Sequence, residues 1–311
     1  MAAESIVALV GGETLLGSDV RELIADRLPQ VRTRLIGAQS DQHTVILTQE
    51  GGEPAVITAL DNERLASAQA VVLAGSADSS RQAMALLRGS PIPVFDLTYG
   101  LEDLPEARLA PESARVQLVP HPAASTLIAL LRTLHPRHTV ERCVAQILVP
   151  ASEYGRAGVD ELQKQTTQLL TFQPVTKAVF PEQLALNLLA GTLGEAELRI
   201  EKHVASLLAR TPEVPMPSLR LIQAPVMHGY SFSIWVQLAM RDGVAETLKE
   251  GGFEPWPDEA PNVMGVAGQT GMSVGALQAD RNDHHGFWIW IVADQFRVAS
   301  SQCVSLLGAA L

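Results

Sequence analysis

Apolar residues in the first third of the chain fall into short runs separated by stretches with helical spacing. SIVALV at 5–10 is followed by LLGSDVRELIADRL, where apolar residues recur every three or four positions, and then by TRLIGA. That alternation predicts strand, amphipathic helix and strand, the opening of a βαβ unit. TVILT, AVITAL, AVVLAG, PVFDLT and VQLVP predict further strands, with the helical stretch DSSRQAMALLRG among them. The expected architecture is α/β, a Rossmann-like doubly wound sheet.

The pattern changes after the helical run STLIALLRTLH. A long strand ERCVAQILVP leads into GRAGVDELQKQTTQLL, and AELRIEKHVASLLAR reads as a later helix. SLRLIQAPVM, YSFSIWVQLAM, MSVGALQA and FWIWIVAD predict long strands close together in sequence, as in a mainly antiparallel sheet flanked by helices. The expected division is a nucleotide-binding-type domain over 1–128 and an α+β catalytic and dimerisation-type domain over 129–294. A C-terminal helix over 295–311, with one apolar stripe, completes the first domain.

Composition narrows the partners. The chain has 311 residues, 47% of them hydrophobic, and 23 basic against 34 acidic residues give a formal charge of −11. With no basic run to offset that balance, nucleic acid and anionic membrane are excluded as expected partners. The N-terminal apolar run is about six residues, short of the ~18 needed to span a bilayer, so a cytoplasmic location is expected. Cys143 and Cys303 lie inside apolar periodic segments without metal-ligand spacing and read as buried reduced thiols.

Taken in order, several segments resemble the aspartate-semialdehyde dehydrogenase family. AVVLAGSADSSRQ with PVFDLTYGLEDLPEARLAPES resembles the run ending in the family's "DNSSAFR…VPEVN". GRAGVDEL is similar to "GAGKAAVDEL", FPEQLALNLL to "FPHQIAFNV", APVMHGYS to "VPVFNGHS" and WIVADQFR to "WVVADNLR". The resemblance implies an NADP-dependent enzyme of amino-acid biosynthesis that works through a cysteine thioester, and a homodimer built through the second domain. Such chemistry needs a thiolate nucleophile and a nearby base.

Position by position, the resemblance implies that no catalytic group is retained. The family's "NPNCST" turn matches His121 to Thr126, so the thiol position is Ala124. Alanine forms no acyl intermediate, and neither cysteine lies in a segment that could substitute. The orienting glutamine falls at Val149, the substrate-carboxylate arginine at Gln223 and the general base histidine at Tyr230. At the phosphate subsite the "SAFR" arginine falls at Glu102 and the "EExK" lysine at Glu197, with Glu195 as a surviving acid. Negative charge at both positions opposes a phosphorylated substrate.

The family's "GATGxVG" nucleotide loop becomes GGETLLG. Gly11 and Gly17 remain, Thr14 replaces the middle glycine, Glu13 brings a charge, and Leu15 and Leu16 open the following helix. The 2′-phosphate reader falls at Gln39, with Asp41 nearby. NADP binding is in doubt, whereas NAD needs no 2′-phosphate contact.

Other candidates have ordinary readings. Ser125 is expected to cap the first helical turn, although a nucleophile there is the alternative. His228 shares a strand face with Tyr230 if the strand continues through Gly229, and then enters the vacated pocket. His284-His285 and the pair His135 and His138 lack a ligand pattern, so no metal is expected. Phe287, Trp288, Ile289 and Trp290 alternate faces and read as core or interface. Two functions stay open: a non-catalytic homologue with a binding, regulatory or structural role, paired with itself or with an active paralogue, or an NADP-dependent oxidoreductase with the family's or a drifted activity.

Overall fold

The computed structural model describes residues 5–38, 45–48 and 54–311. They divide into two compact units, one covering residues up to Pro120 together with Ala299–Leu311, the other His121–Val298.

The first unit runs β1 (Ser5–Val10), α1 (Leu15–Arg27), β2 (Val31–Ile36), β3 (Val45–Thr48), β4 (Pro54–Ile57), α2 (Asn62–Ala66), β5 (Ala70–Leu73), α3 (Ala77–Leu86), β6 (Val94–Asp96), β7 (Ala107–Leu109) and β8 (Val116–Leu118). Six strands form one sheet in the order β2-β1-β5-β6-β8-β7, all parallel. Two of the expected strands do not join it. TVILT and AVITAL supply β3 and β4, which pair with each other as an antiparallel hairpin. A single bridge from Thr58 to Ile36 ties that hairpin back.

Alternate residues of β1 serve opposite faces, as a sheet covered on both sides requires. Val7 and Leu9 pack with Val20, Leu23 and Ile24 of α1, while Ala8 and Val10 pack with Leu65, Ala83 and Leu87. Ala299, Cys303, Val304 and Leu307 join the α1 side. Burying each such leucine or valine stabilises by about 1.5–3 kcal/mol, which is why the C-terminal helix docks.

The second unit contains α4 (Pro122–His138), β9 (Val140–Val149), α5 (Gly155–Leu170), β10 (Leu189–Ala190), α6 (Gly194–Leu208), β11 (Ser218–Gln223), β12 (Tyr230–Leu238), α7 (Val244–Glu250), β13 (Phe253–Trp256), β14 (Met272–Ala279), β15 (Gly286–Ala293) and the start of α8 (Gln295–Ala310). Its seven strands order as β10-β11-β9-β12-β15-β14-β13. The sheet is mixed: β11 with β9 and β13 with β14 are parallel, the remaining pairs antiparallel. The boundaries fall at Pro120/His121 and Val298/Ala299 rather than at the expected 128/129 and 294/295. The physical reason for the first is α4, one continuous helix that packs on α6, α7 and β9; the second falls inside α8, whose residues from Ala299 onward pack on the first unit's core.

On one face of this sheet Cys143, Ala145, Ile147 and Ile234 are buried. The other face carries Val144, Trp235 and Trp288 in one row across β9, β12 and β15. Val144 is 45% and Trp288 41% exposed. The Asp280 carboxylate accepts both indole N–H groups, from Trp235 at 2.9 Å and Trp288 at 3.1 Å. No described helix is long and apolar enough to cross a membrane.

Candidate functional site

Three adjacent strands of the second unit bring the family-equivalent positions together. Gln223, the last residue of β11, is in register with Val149, the last of β9. On the other side of β9, Ser231 of β12 is in register with Leu148, which sets Tyr230 beside Val149. Val149, Gln223 and Tyr230 are all buried. Ala124, in the first turn of α4, has no exposed surface. Pro122 occupies the first helical turn, where its missing N–H costs nothing.

The cap of α4 is an imidazole. Nδ1 of His121 accepts from the Ala123 N–H at 3.2 Å, so the ring proton sits on Nε2. Ser125 is not the N-cap. The neighbouring Thr126 hydroxyl donates to the Pro122 carbonyl at 2.9 Å.

Nε2 of His121 faces Glu153 Oε1 at 3.3 Å, and the Tyr230 hydroxyl donates to Glu153 Oε2. The His121 backbone N–H donates to His203 Nδ1 at 3.0 Å. Burial pushes the Glu153 carboxyl up, but the hydrogen bonds from His121 and Tyr230 and the Arg199 charge outweigh it and hold the group below its ordinary value. Glu153 therefore sits as a carboxylate, 22% exposed, against a 2% exposed imidazole and a buried phenol.

A second set of links holds the turn that carries Glu153. The Ala151 and Ser152 N–H groups donate to Val226 and Met227 carbonyls at 2.8 and 3.0 Å. Gln295 donates to the Ser152 hydroxyl at 2.5 Å and accepts from the Gly229 N–H at 2.7 Å. The segment after β9 and the segment before β12 are thus cross-tied by backbone and side chain.

The acidic candidates lie elsewhere. Glu197 accepts the Leu221 N–H at 2.8 Å and pairs with Arg220 at 3.6 Å, so it serves the edge of β11. Glu195 is exposed in the first turn of α6. Glu102 belongs to the first unit, exposed, in a turn whose N–H meets the Tyr99 carbonyl.

The loop before α1 keeps its tight turn. Gly11 has φ +85°, and a Cβ at Gly17 would lie 2.0 Å from the Gly11 carbonyl oxygen, so only glycine fits either place. Thr14 caps α1, accepting from the Gly17 N–H at 2.9 Å. Leu15 and Leu16 open the helix, and Leu16 packs on the core. Glu13 reaches across and accepts the Ala38 N–H at 2.7 Å, placing a carboxylate just past the end of β2. Gln39 and Asp41 lie outside the described residues.

His228 does not enter the cluster: it lies against Phe296 in a tilted ring contact at 5.7 Å, and burial, partly opposed by Asp294, lowers its pKa. His138 is satisfied by the Met240 carbonyl and the Thr247 hydroxyl, both at 2.9 Å. Among the described residues no group of three or more His, Cys, Asp or Glu side chains could hold a metal. Cys143 and Cys303 are buried, and burial pushes each thiol up to about 12.

Residues 131–298 match the family described as semialdehyde dehydrogenase, dimerisation domain. A USG-1 protein homolog of Pseudomonas aeruginosa is 30% identical over 271 residues, covering 80% of each chain. The chain belongs to the semialdehyde dehydrogenase family. An aspartate-semialdehyde dehydrogenase of Synechocystis is 22% identical over 94% of this chain and 92% of its own. The structure of a probable aspartate-semialdehyde dehydrogenase from Pseudomonas aeruginosa superposes with a TM-score of 0.86 at 26% identity, covering 98% of both chains.

Glu153, His121, His203 and Arg199 escaped the sequence reading. Two signals pointed to Glu153 and Arg199. Counted back from Leu162, the ten-residue family motif "GAGKAAVDEL" starts at Glu153, a carboxylate in place of glycine. Shifted by two residues, "EExK" also fits Ala196 to Arg199 and keeps a basic residue at its end. In that register the basic residue is the one whose charge acts on Glu153.

Proposed function

We propose that this chain is a non-catalytic semialdehyde dehydrogenase homologue that acts as a binding or regulatory subunit. The observation that carries the reading is the exchange of a nucleophile for a closed polar cluster. Ala124 offers no thiol at a fully buried position, and the His121 imidazole and the Tyr230 phenol are engaged by Glu153. A proton shuttle has to be able to take a proton from a reacting group and return it; Tyr230 and His121 instead donate to a carboxylate that stays ionised. Gln223 lacks the fixed charge for a bidentate carboxylate clamp. Of the two phosphate positions, Arg199 supplies the positive charge that Glu197 does not, so charge reversal is confined to Glu102.

The nucleotide loop keeps a turn in which backbone can approach a pyrophosphate. The Glu13 carboxylate at the end of β2 opposes the 2′-phosphate of NADP and leaves NAD as the better fit. We infer a homodimer through the open face of the second unit's sheet, supported by the family's dimerisation-domain description and by the exposed Val144 and Trp288 row.

The deciding experiment is a sensitive assay with aspartate semialdehyde, phosphate and NADP or NAD, beside thermal denaturation with each nucleotide. No turnover is expected. Turnover within about a thousandfold of an ordinary kcat of ~10 s⁻¹ would overturn the reading in favour of an NAD(P)-dependent oxidoreductase working through other groups. Nucleotide-induced stabilisation without turnover would support a sensing role.

A further inference from the structure

We propose that Glu153 is a tethered ligand: its carboxylate fills a small-carboxylate site formed in the second unit by Tyr230, His121 and Arg199, and the emptied site takes free acetate. The cluster is built only of groups that present positive polarity. The His121 ring has its Nδ1 engaged by the Ala123 N–H, so Nε2 can only donate. Tyr230 donates its hydroxyl proton. Arg199 contributes charge. His121, at the cap of α4, and Tyr230, the first residue of β12, each meet one of the two oxygens of a single side chain, and α6 adds the Arg199 charge. Buried donors left without an acceptor are costly, and an anionic acceptor satisfies them best.

The frame of the site does not depend on Glu153. The Ala151 and Ser152 backbone bonds and the Gln295 bridge hold the turn. Truncating Glu153→Ala removes a CH2 and a carboxylate, the atoms of acetate, and Glu153's own 22% exposure marks a way in from solvent. This inference deepens the proposed loss of catalysis but rests on the cluster alone. Turnover by the natural protein would sink the non-catalytic reading and leave the acetate response standing.

The test is thermal denaturation of the natural protein and of Glu153→Ala in sodium acetate, acetamide and sodium chloride, at matched pH and, for the two salts, matched ionic strength. The variant is expected to melt lower than the natural protein and to recover saturably in acetate. At about ten times its Kd, acetate multiplies the folding constant about 11-fold, a rise of about 3 °C. Acetamide and chloride should not reproduce the rise, the natural protein should respond to none, and Glu153→Ala with Tyr230→Phe should lose most of the response. Equal acetate responses in natural protein and variant, or none in the variant, overturn the proposal. If Glu153→Ala does not fold alone, the same series reads recovery of circular dichroism on refolding, and failure to recover in acetate likewise overturns it.

Discussion

Gln223 and Val149 face each other across the β9–β11 pair, and the Gln223 side-chain amide donates to the Val149 carbonyl at 2.9 Å. One of these positions has no polar side chain and the other is committed to its neighbour's backbone. Val149 offers no polar side chain there, and the Gln223 side-chain oxygen is buried with no hydrogen-bond partner among the described residues.

Restoring the missing groups is therefore expected to fail while the cluster stands. Ala124→Cys combined with Val149→Gln, Gln223→Arg and Tyr230→His should give no nicotinamide absorbance change above background with aspartate semialdehyde and phosphate. His121 remains engaged by Glu153 in that variant, and a carboxylate beside a new histidine favours its protonated form, which cannot take the proton of a thiol. Turnover in the fourfold variant would show that Glu153 does not block the site.

Glu153 also sets a pH dependence. Its folded pKa lies below the ordinary 4.5, so its contribution to stability is fully present above the unfolded value and is lost as pH falls from about 4.5 through the folded value. Urea denaturation of the natural protein and Glu153→Gln should show a stability gap at about pH 6 that narrows by about pH 3. A gap independent of pH would mean that the ionised carboxylate is not what the cluster holds.

The tryptophan row gives a third expectation. Placing a charge at Trp288 removes apolar surface and opposes the nearby Asp280, which lies within hydrogen-bond distance of Trp288 Nε1. Trp288→Glu should weaken self-association by about 30-fold or more, as loss of a central aromatic anchor commonly does, read by sedimentation velocity. An unchanged sedimentation coefficient with retained circular dichroism would remove this face from the interface.

Both thiols are expected to be silent in the native protein. With Cys143 and Cys303 pushed up to about 12 by burial, a disulfide reagent at about pH 8 should label neither until denaturant is added, since the thiolate is the reactive form. Rapid labelling of the native chain would place a cysteine at a working surface.

The fold was legible because burial imposes periodicity. SIVALV and AVVLAG became β1 and β5, and ERCVAQILVP became β9, because strands buried on one or both faces must repeat with their apolar neighbours. The hairpin of β3 and β4 was misplaced in the main sheet because a strand's pattern does not name its partner. At the site, ordered motifs assign Ala124, Val149, Gln223 and Tyr230 as what the resemblance implies. The partners of Glu153 were not legible, because its role depends on His121, 32 residues away, and on Tyr230, 77 residues away. A histidine at the start of a helix and a glutamate before another look unremarkable until the fold brings them together.

The cluster has a consequence for how such a chain changes over generations. A change at Tyr230 removes one donor to Glu153, and a loss of Glu153 strands His121 and Tyr230. On the non-catalytic reading, the closed cluster works as a ratchet: its members depend on one another, so single substitutions toward the family's groups each disturb a hydrogen bond before any activity is gained.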